Sequence, residues 1–143
     1  MEFFENLAKL KMQVEIQRDL DDNLVKIIKQ ILPFGCDIVI DHLARASDKS
    51  KNLEELLHLK NPKIFFKISG FYRAKIHYTK NEEAIKFAKT MYEILKEYFL
   101  PTNFVFFFFF GSNWPHTNFE KNINFLSTFE AFEKIVTSKK EQG

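Results

Sequence analysis

Phe104-Val105-Phe106-Phe107-Phe108-Phe109-Phe110-Gly111-Ser112-Asn113-Trp114-Pro115-His116 is the stretch that decides how this chain folds. An apolar run over residues 104–110 breaks abruptly into polar and turn-forming residues. Its length suits a strand buried on both faces and is far too short to cross a bilayer. Gly111 lets the backbone leave the strand, Pro115 cannot extend a ladder, and Thr117 with Glu120 forms a candidate capping box for a following helix. Asn113 and His116 are therefore expected beyond the carboxyl end of a strand. Ligands bind at that end in open α/β sheets and in barrels alike.

Working outward, three more β-rich apolar runs occur at residues 12–17, 36–41 and 63–69, separated by segments of helical periodicity. Between the first two, residues 19–31 place Leu20, Leu24, Ile27, Ile28 and Ile31 on one face of a helix. Asn52 with Glu55 can cap a second helix carrying Leu53, Leu56 and Leu57. The longest helical pattern, residues 82–99, carries Ala84, Ile85, Ala88, Met91, Tyr92, Leu95 and Tyr98 as its stripe, with Thr79 and Glu82 as a cap. Strands alternating with helices force parallel neighbours and right-handed crossovers, so all strands share one carboxyl edge. On that edge fall Asp41-His42, then Ser69-Gly70-Phe71-Tyr72-Arg73, then Asn113 with His116. Polar groups from three strands converging on one rim is the arrangement a catalytic site requires.

Composition bounds the rest. With 143 residues and 45% hydrophobic content, the chain is expected to form one domain spanning 1–143, without a linker or an internal repeat. A net charge of +2, from 21 basic and 19 acidic residues, gives no electrostatic footprint for nucleic acid. Lys49, Lys51, Lys60, Lys63 and Lys67 cluster, but Glu54 and Glu55 interrupt them, so they are expected on a solvated helix face and in loops. The lone Cys36 excludes an intrachain disulfide and suits core filling in a reducing compartment. Residues 1–11 lack the basic-then-apolar order of a signal peptide, which points to the cytoplasm and to no membrane partner.

Three motifs, taken in order, resemble the amidohydrolase-related family that includes 2-pyrone-4,6-dicarboxylate lactonase. They are Ile38-Val39-Ile40-Asp41-His42-Leu43-Ala44-Arg45, Phe66-Lys67-Ile68-Ser69-Gly70-Phe71-Tyr72-Arg73 and Gly111-Ser112-Asn113-Trp114-Pro115-His116-Thr117. The resemblance spans most of residues 10–120 and implies an α/β fold: the C-terminal half of a (β/α)₈ TIM barrel, with about four βα units and parallel strands. It implies hydrolysis of lactones, esters or amides of small, often acidic, molecules. His42 matches the strand-end histidine that polarises the substrate carbonyl or, in metal-dependent relatives, binds a divalent metal. Arg73 matches an arginine that pairs with a substrate carboxylate, a task suited to a planar fork of donors. His116 matches a position lining the pocket. Each has a plainer alternative: a hydrogen-bonded strand-end histidine, a surface arginine after a turn, a histidine bonded within its own turn. Ser69 and Tyr72 read as turn and packing residues.

Two departures from the pattern stand out. The resembling enzymes carry aspartate at position 113 as the base that activates water, and an amide cannot take that proton. Asn113 can orient a water, or can simply be a turn residue or helix cap. A complete barrel of this type takes about 250 residues. The first-strand His-x-His of the family is also missing, the four histidines being His42, His58, His77 and His116. The chain therefore reads as the later half of a barrel, ending before the family's final helix. Three functional expectations follow: a hydrolase completed by an N-terminal barrel half, a truncated and catalytically impaired hydrolase, or a small module that holds an anion with Arg73 and Lys67. Half a barrel has two open sheet edges, so each predicts self-association or a partner.

Overall fold

The β-rich runs assemble into a four-stranded parallel sheet in the order β1-β2-β3-β4, formed by Gln13–Ile16, Asp37–Ile40, Ile64–Ile68 and Phe108–Phe110. The structure is a computed structural model and describes residues 2–46, 51–73, 81–99, 108–113, 115, 119 and 121–137. Helix α1 (Glu2–Lys9) precedes β1, and α2 (Asp22–Ile31), α3 (Lys51–His58) and α4 (Asn81–Phe99) fill the three crossovers. Helix α5 (Phe125–Val136) follows β4. This is the alternation expected of a partial α/β barrel. Residues 104–107 of the anticipated last strand, the capping residues Thr79, Thr117 and Glu120, and His116 lie outside the described residues.

Period-two alternation gives the sheet two unlike faces. Ile38, Ile40, Ile64, Phe66 and Ile68 share one face and join Leu24, Ile28, Leu56, Met91 and Leu95 of the helices in a single buried core. Cys36 fills space there, its thiol donating to the Phe4 carbonyl at 3.1 Å. The other face mixes the apolar side chains of Val39 and Phe65 with charged ones. Glu15 of β1, Lys67 of β3 and Asp41 beyond β2 meet on it in an ion-paired group. Lys67 is thus not the solvated loop or helix lysine its composition suggested, because strand alternation turns it onto this face. Gly111 makes the arrangement possible, since a Cβ there would come within 2.9 Å of Lys67 Cδ.

Several helix boundaries differ from the sequence expectation for local reasons. Helix α2 starts at Asp22 rather than at residue 19, because the Asp21 carboxylate accepts from the Leu24 N–H at 2.8 Å and caps it. Upstream, Leu20 N–H is committed to the Ala44 carbonyl at 2.8 Å. Asn52 lies inside α3, which begins at Lys51, so it is not the cap; Glu55 instead pairs with Lys29 and Lys51. Helix α5 is closed by a reciprocal box in which Asn124 Oδ1 accepts from Ser127 N–H at 2.9 Å and Ser127 Oγ from Asn124 N–H at 3.0 Å. Asn124→Ala is expected to lower stability by about 1 kcal/mol, read from the urea midpoint at an unchanged m-value. Among the described residues no helix is long and apolar enough to cross a membrane.

Candidate active-site rim

At the carboxyl edge of the sheet His42 meets Ser69, and Asn113 meets Tyr72, while His116, expected on the same edge, lies outside the described residues. Immediately after β2 the chain enters a tight turn, Asp41–Arg45, in which His42, Leu43, Ala44 and Arg45 all have left-handed backbone, with φ of 53°, 51°, 58° and 44°. Non-glycine residues pay roughly 1–2 kcal/mol each for that conformation. Surrounding contacts hold it. Leu43 and Ala44 are buried, Arg45 Nε lies 2.8 Å from Asp19 Oδ1, and Leu20 N–H reaches the Ala44 carbonyl.

The turn drives the His42 ring into the interior, where the residue is 5% exposed. Nδ1 lies 2.8 Å from Ser69 Oγ beyond β3, and Nε2 lies 3.1 Å from the Gln17 side-chain nitrogen beyond β1. Gly70 closes the pocket: its φ is +49°, and a Cβ there would sit 2.6 Å from His42 Nδ1. Burial, reinforced by the positive charges of Arg73 and Arg45, pushes the imidazole pKa down to about 4, so the ring is neutral at pH 7. Ser69 is therefore more than a turn residue. Gln17 carried no signal in the sequence beyond its place at the end of a strand.

Below the rim, Lys67 Nζ approaches Asp41 Oδ1 at 2.8 Å and also pairs with Glu15. Burial raises the Asp41 pKa and lowers that of Lys67, while Arg45 pulls Asp41 back down. Direct contact of opposite charges favours the ionised form of both. Across the rim, Asn113 occupies the left-handed region at φ 58°, which asparagine tolerates better than most residues, and its amide donates to the Tyr72 hydroxyl at 2.8 Å. Arg73 is half-buried, its guanidinium 5.6 Å from the Tyr72 ring centroid and 5.2 Å from that of Phe119. Those rings lie 4.8 Å apart and form a platform that limits the guanidinium's freedom. His42, Arg73 and Asn113 are thus placed at one sheet edge.

A divalent metal, which the resemblance admits, would need several ligating side chains at this rim. Among the described residues no group of three or more His, Cys, Asp or Glu side chains is arranged to hold an ion. Both nitrogens of His42 have partners already. The described donor set does not fit a metal.

No family model and no curated protein matches the chain. Solved structures do. One described as a 2-pyrone-4,6-dicarboxylic acid hydrolase from Acinetobacter baumannii, with citric acid bound, aligns at TM-score 0.82 and 31% identity over 96% of this chain and 50% of its own. Another so described, from Pseudomonas putida, aligns at TM-score 0.79 and 29% identity over 95% of this chain and 49% of its own. An amidohydrolase from Burkholderia multivorans with bound zinc, at 15% identity and TM-score 0.65 over 94% and 48%, shares the fold alone. The chain spans about half the length of the structures it matches. Its fold is that of half an amidohydrolase-type barrel, consistent with the C-terminal half, and it resembles the 2-pyrone-4,6-dicarboxylic acid hydrolases along nearly all of its own length.

Proposed function

We propose that residues 1–143 form one half-barrel unit carrying part of a hydrolase site for small carboxylated lactones, esters or amides, and that this site binds better than it turns over. The observation that carries the proposal is the rim itself. A neutral buried histidine, an aromatic-backed arginine and an asparagine follow three neighbouring parallel strands at their carboxyl ends. In this reading Arg73 clamps a substrate carboxylate, His42 sits on the carbonyl side, and residue 113 stands where the attacking water must lose its proton.

Hydrolysis of a lactone joins a water oxygen to the carbonyl carbon, breaks the ring C–O bond, and moves a proton from that water to the leaving oxygen. Asn113 can hold the water but cannot carry the proton, because a carboxamide has no useful basicity near neutral pH. Its side-chain nitrogen is also already donating to Tyr72. A positioned base typically contributes about 10²–10⁴-fold to the rate. The similar Acinetobacter structure has citric acid bound, which makes citrate a suitable carboxylated probe for this chain.

Calorimetry with citrate and with 2-pyrone-4,6-dicarboxylate tests binding, and loss of pyrone absorbance tests turnover. Wild type is expected to release binding heat, and Arg73→Ala to weaken binding by roughly 10–100-fold, the worth of a charge-assisted contact. Turnover is expected at the buffer blank. No heat from wild type removes the substrate-binding half of the proposal. Hydrolysis above the blank removes the impairment.

A further inference from the structure

The loop that leaves β1 touches the His42 turn at three points, and one of them bears on the ring's chemistry. Leu20 N–H bonds the Ala44 carbonyl at 2.8 Å, Asp19 meets Arg45 at 2.8 Å, and the Gln17 side-chain nitrogen meets His42 Nε2 at 3.1 Å. A carboxamide nitrogen can only donate, so the ring nitrogen facing it must accept. An accepting Nε2 carries no proton, and a neutral imidazole must then carry its proton on Nδ1. Nδ1 faces Ser69 Oγ at 2.8 Å, and a hydroxyl can accept as readily as it donates. Ser69 therefore fits either tautomer, and Gln17 decides between them. Gly70, packed against the Nδ1 side of the ring, fixes where that nitrogen sits.

We infer that Gln17 is a positioning residue that fixes His42 as the Nδ1–H tautomer, with Nε2 presenting a lone pair. The consequence for the proposed function rests on the placement of His42 given there. A histidine polarises a carbonyl by donating a hydrogen bond, and a ring in this tautomer has no proton on Nε2 to donate. Nε2 instead accepts from Gln17, or from a water that takes the place of the amide. The amide at 113 and the tautomer at His42 then disable the two ends of the same reaction independently. Nothing in the sequence marks Gln17 for this role, because its partner lies 25 positions away and meets it only through the parallel pairing of β1 with β2.

Long-range proton–nitrogen NMR on the ¹⁵N-labelled chain at pH 7 reads which ring nitrogen carries the proton, the His42 signals being assigned by their absence from His42→Asn. Wild type is expected to show protonated Nδ1 and bare Nε2. Gln17→Glu is expected to invert the pattern, because a carboxylate only accepts and forces the proton onto Nε2. Gln17→Leu is expected to leave a mixture, since neither tautomer is then preferred from that side. A merely structural Gln17 would leave the tautomer unchanged in all three. Protonated Nε2 in wild type overturns the inference, as does an unchanged Nδ1–H pattern in Gln17→Glu. Should Gln17→Glu fail to fold by far-UV circular dichroism, a single unchanged Nδ1–H tautomer in Gln17→Leu overturns it equally. The measurement needs no ligand, so the calorimetry above can fail while this pattern holds, and the reverse.

Discussion

Replacing Gly70 by alanine is expected to destabilise the chain by about 2–5 kcal/mol and to displace the His42 ring. Two costs add. The residue has φ +49°, a conformation costing a side-chain-bearing residue roughly 1–2 kcal/mol. The new methyl would also lie 2.6 Å from His42 Nδ1 and 2.9 Å from Cε1, atoms of a buried ring held at both nitrogens. Overpacking of that kind typically costs about 1–3 kcal/mol. Urea denaturation of Gly70→Ala against wild type measures the total. A midpoint within error of wild type would show that the ring can move aside freely, contrary to the pinning described above.

Acidification is expected to remove about 3 kcal/mol of stability through His42 alone. Its imidazole titrates near pH 6.5 when unfolded and, depressed by burial and by Arg73 and Arg45, at about 4 when folded. Between those values the unfolded chain binds a proton that the folded chain refuses, so stability rises with pH across this window. The contribution is complete above pH 6.5 and fades as pH falls toward 4. Asp41, whose pKa is raised, works in the opposite direction, and Asp21, whose pKa is lowered, contributes below this window. Comparing wild type with His42→Asn at pH 7 and pH 4.5 cancels most of the carboxylate contribution. Equal losses in the two proteins would remove His42 as the source.

The alternation of strands and helices, and the shared edge it creates, could be argued from the sequence because period and length are local properties. The α4 stripe illustrates this: Ala84, Ala88, Met91 and Leu95 are all buried as their spacing requires. Helix α1 is not legible in the sequence, although Phe4, Leu7 and Ala8 pack against the core, because eight residues are too few for helical periodicity to stand out. The ion-paired setting of Lys67 is illegible for a different reason. Its partners Asp41 and Glu15 lie far away in sequence, and only register brings them together. The motif singles out His42, but its partners Gln17 and Ser69 are of residue types too common to stand out. The backbone of the turn was illegible altogether, since no glycine between residues 41 and 46 announces a reversal of φ.

That turn has a bearing on engineering. Four residues in a row adopt a conformation they would leave if released, and the contacts that keep them there come from the segment after β1, from Ser69 and from Gly70. The shape of the rim at His42 is borrowed from its neighbours and does not travel with the local sequence. Residues 41–45 excised as a peptide or spliced into another scaffold would relax to ordinary right-handed or extended backbone and take the histidine with them. Any transfer of this site has to carry the ends of three strands together, which makes the half-barrel, and not the motif, its smallest portable unit.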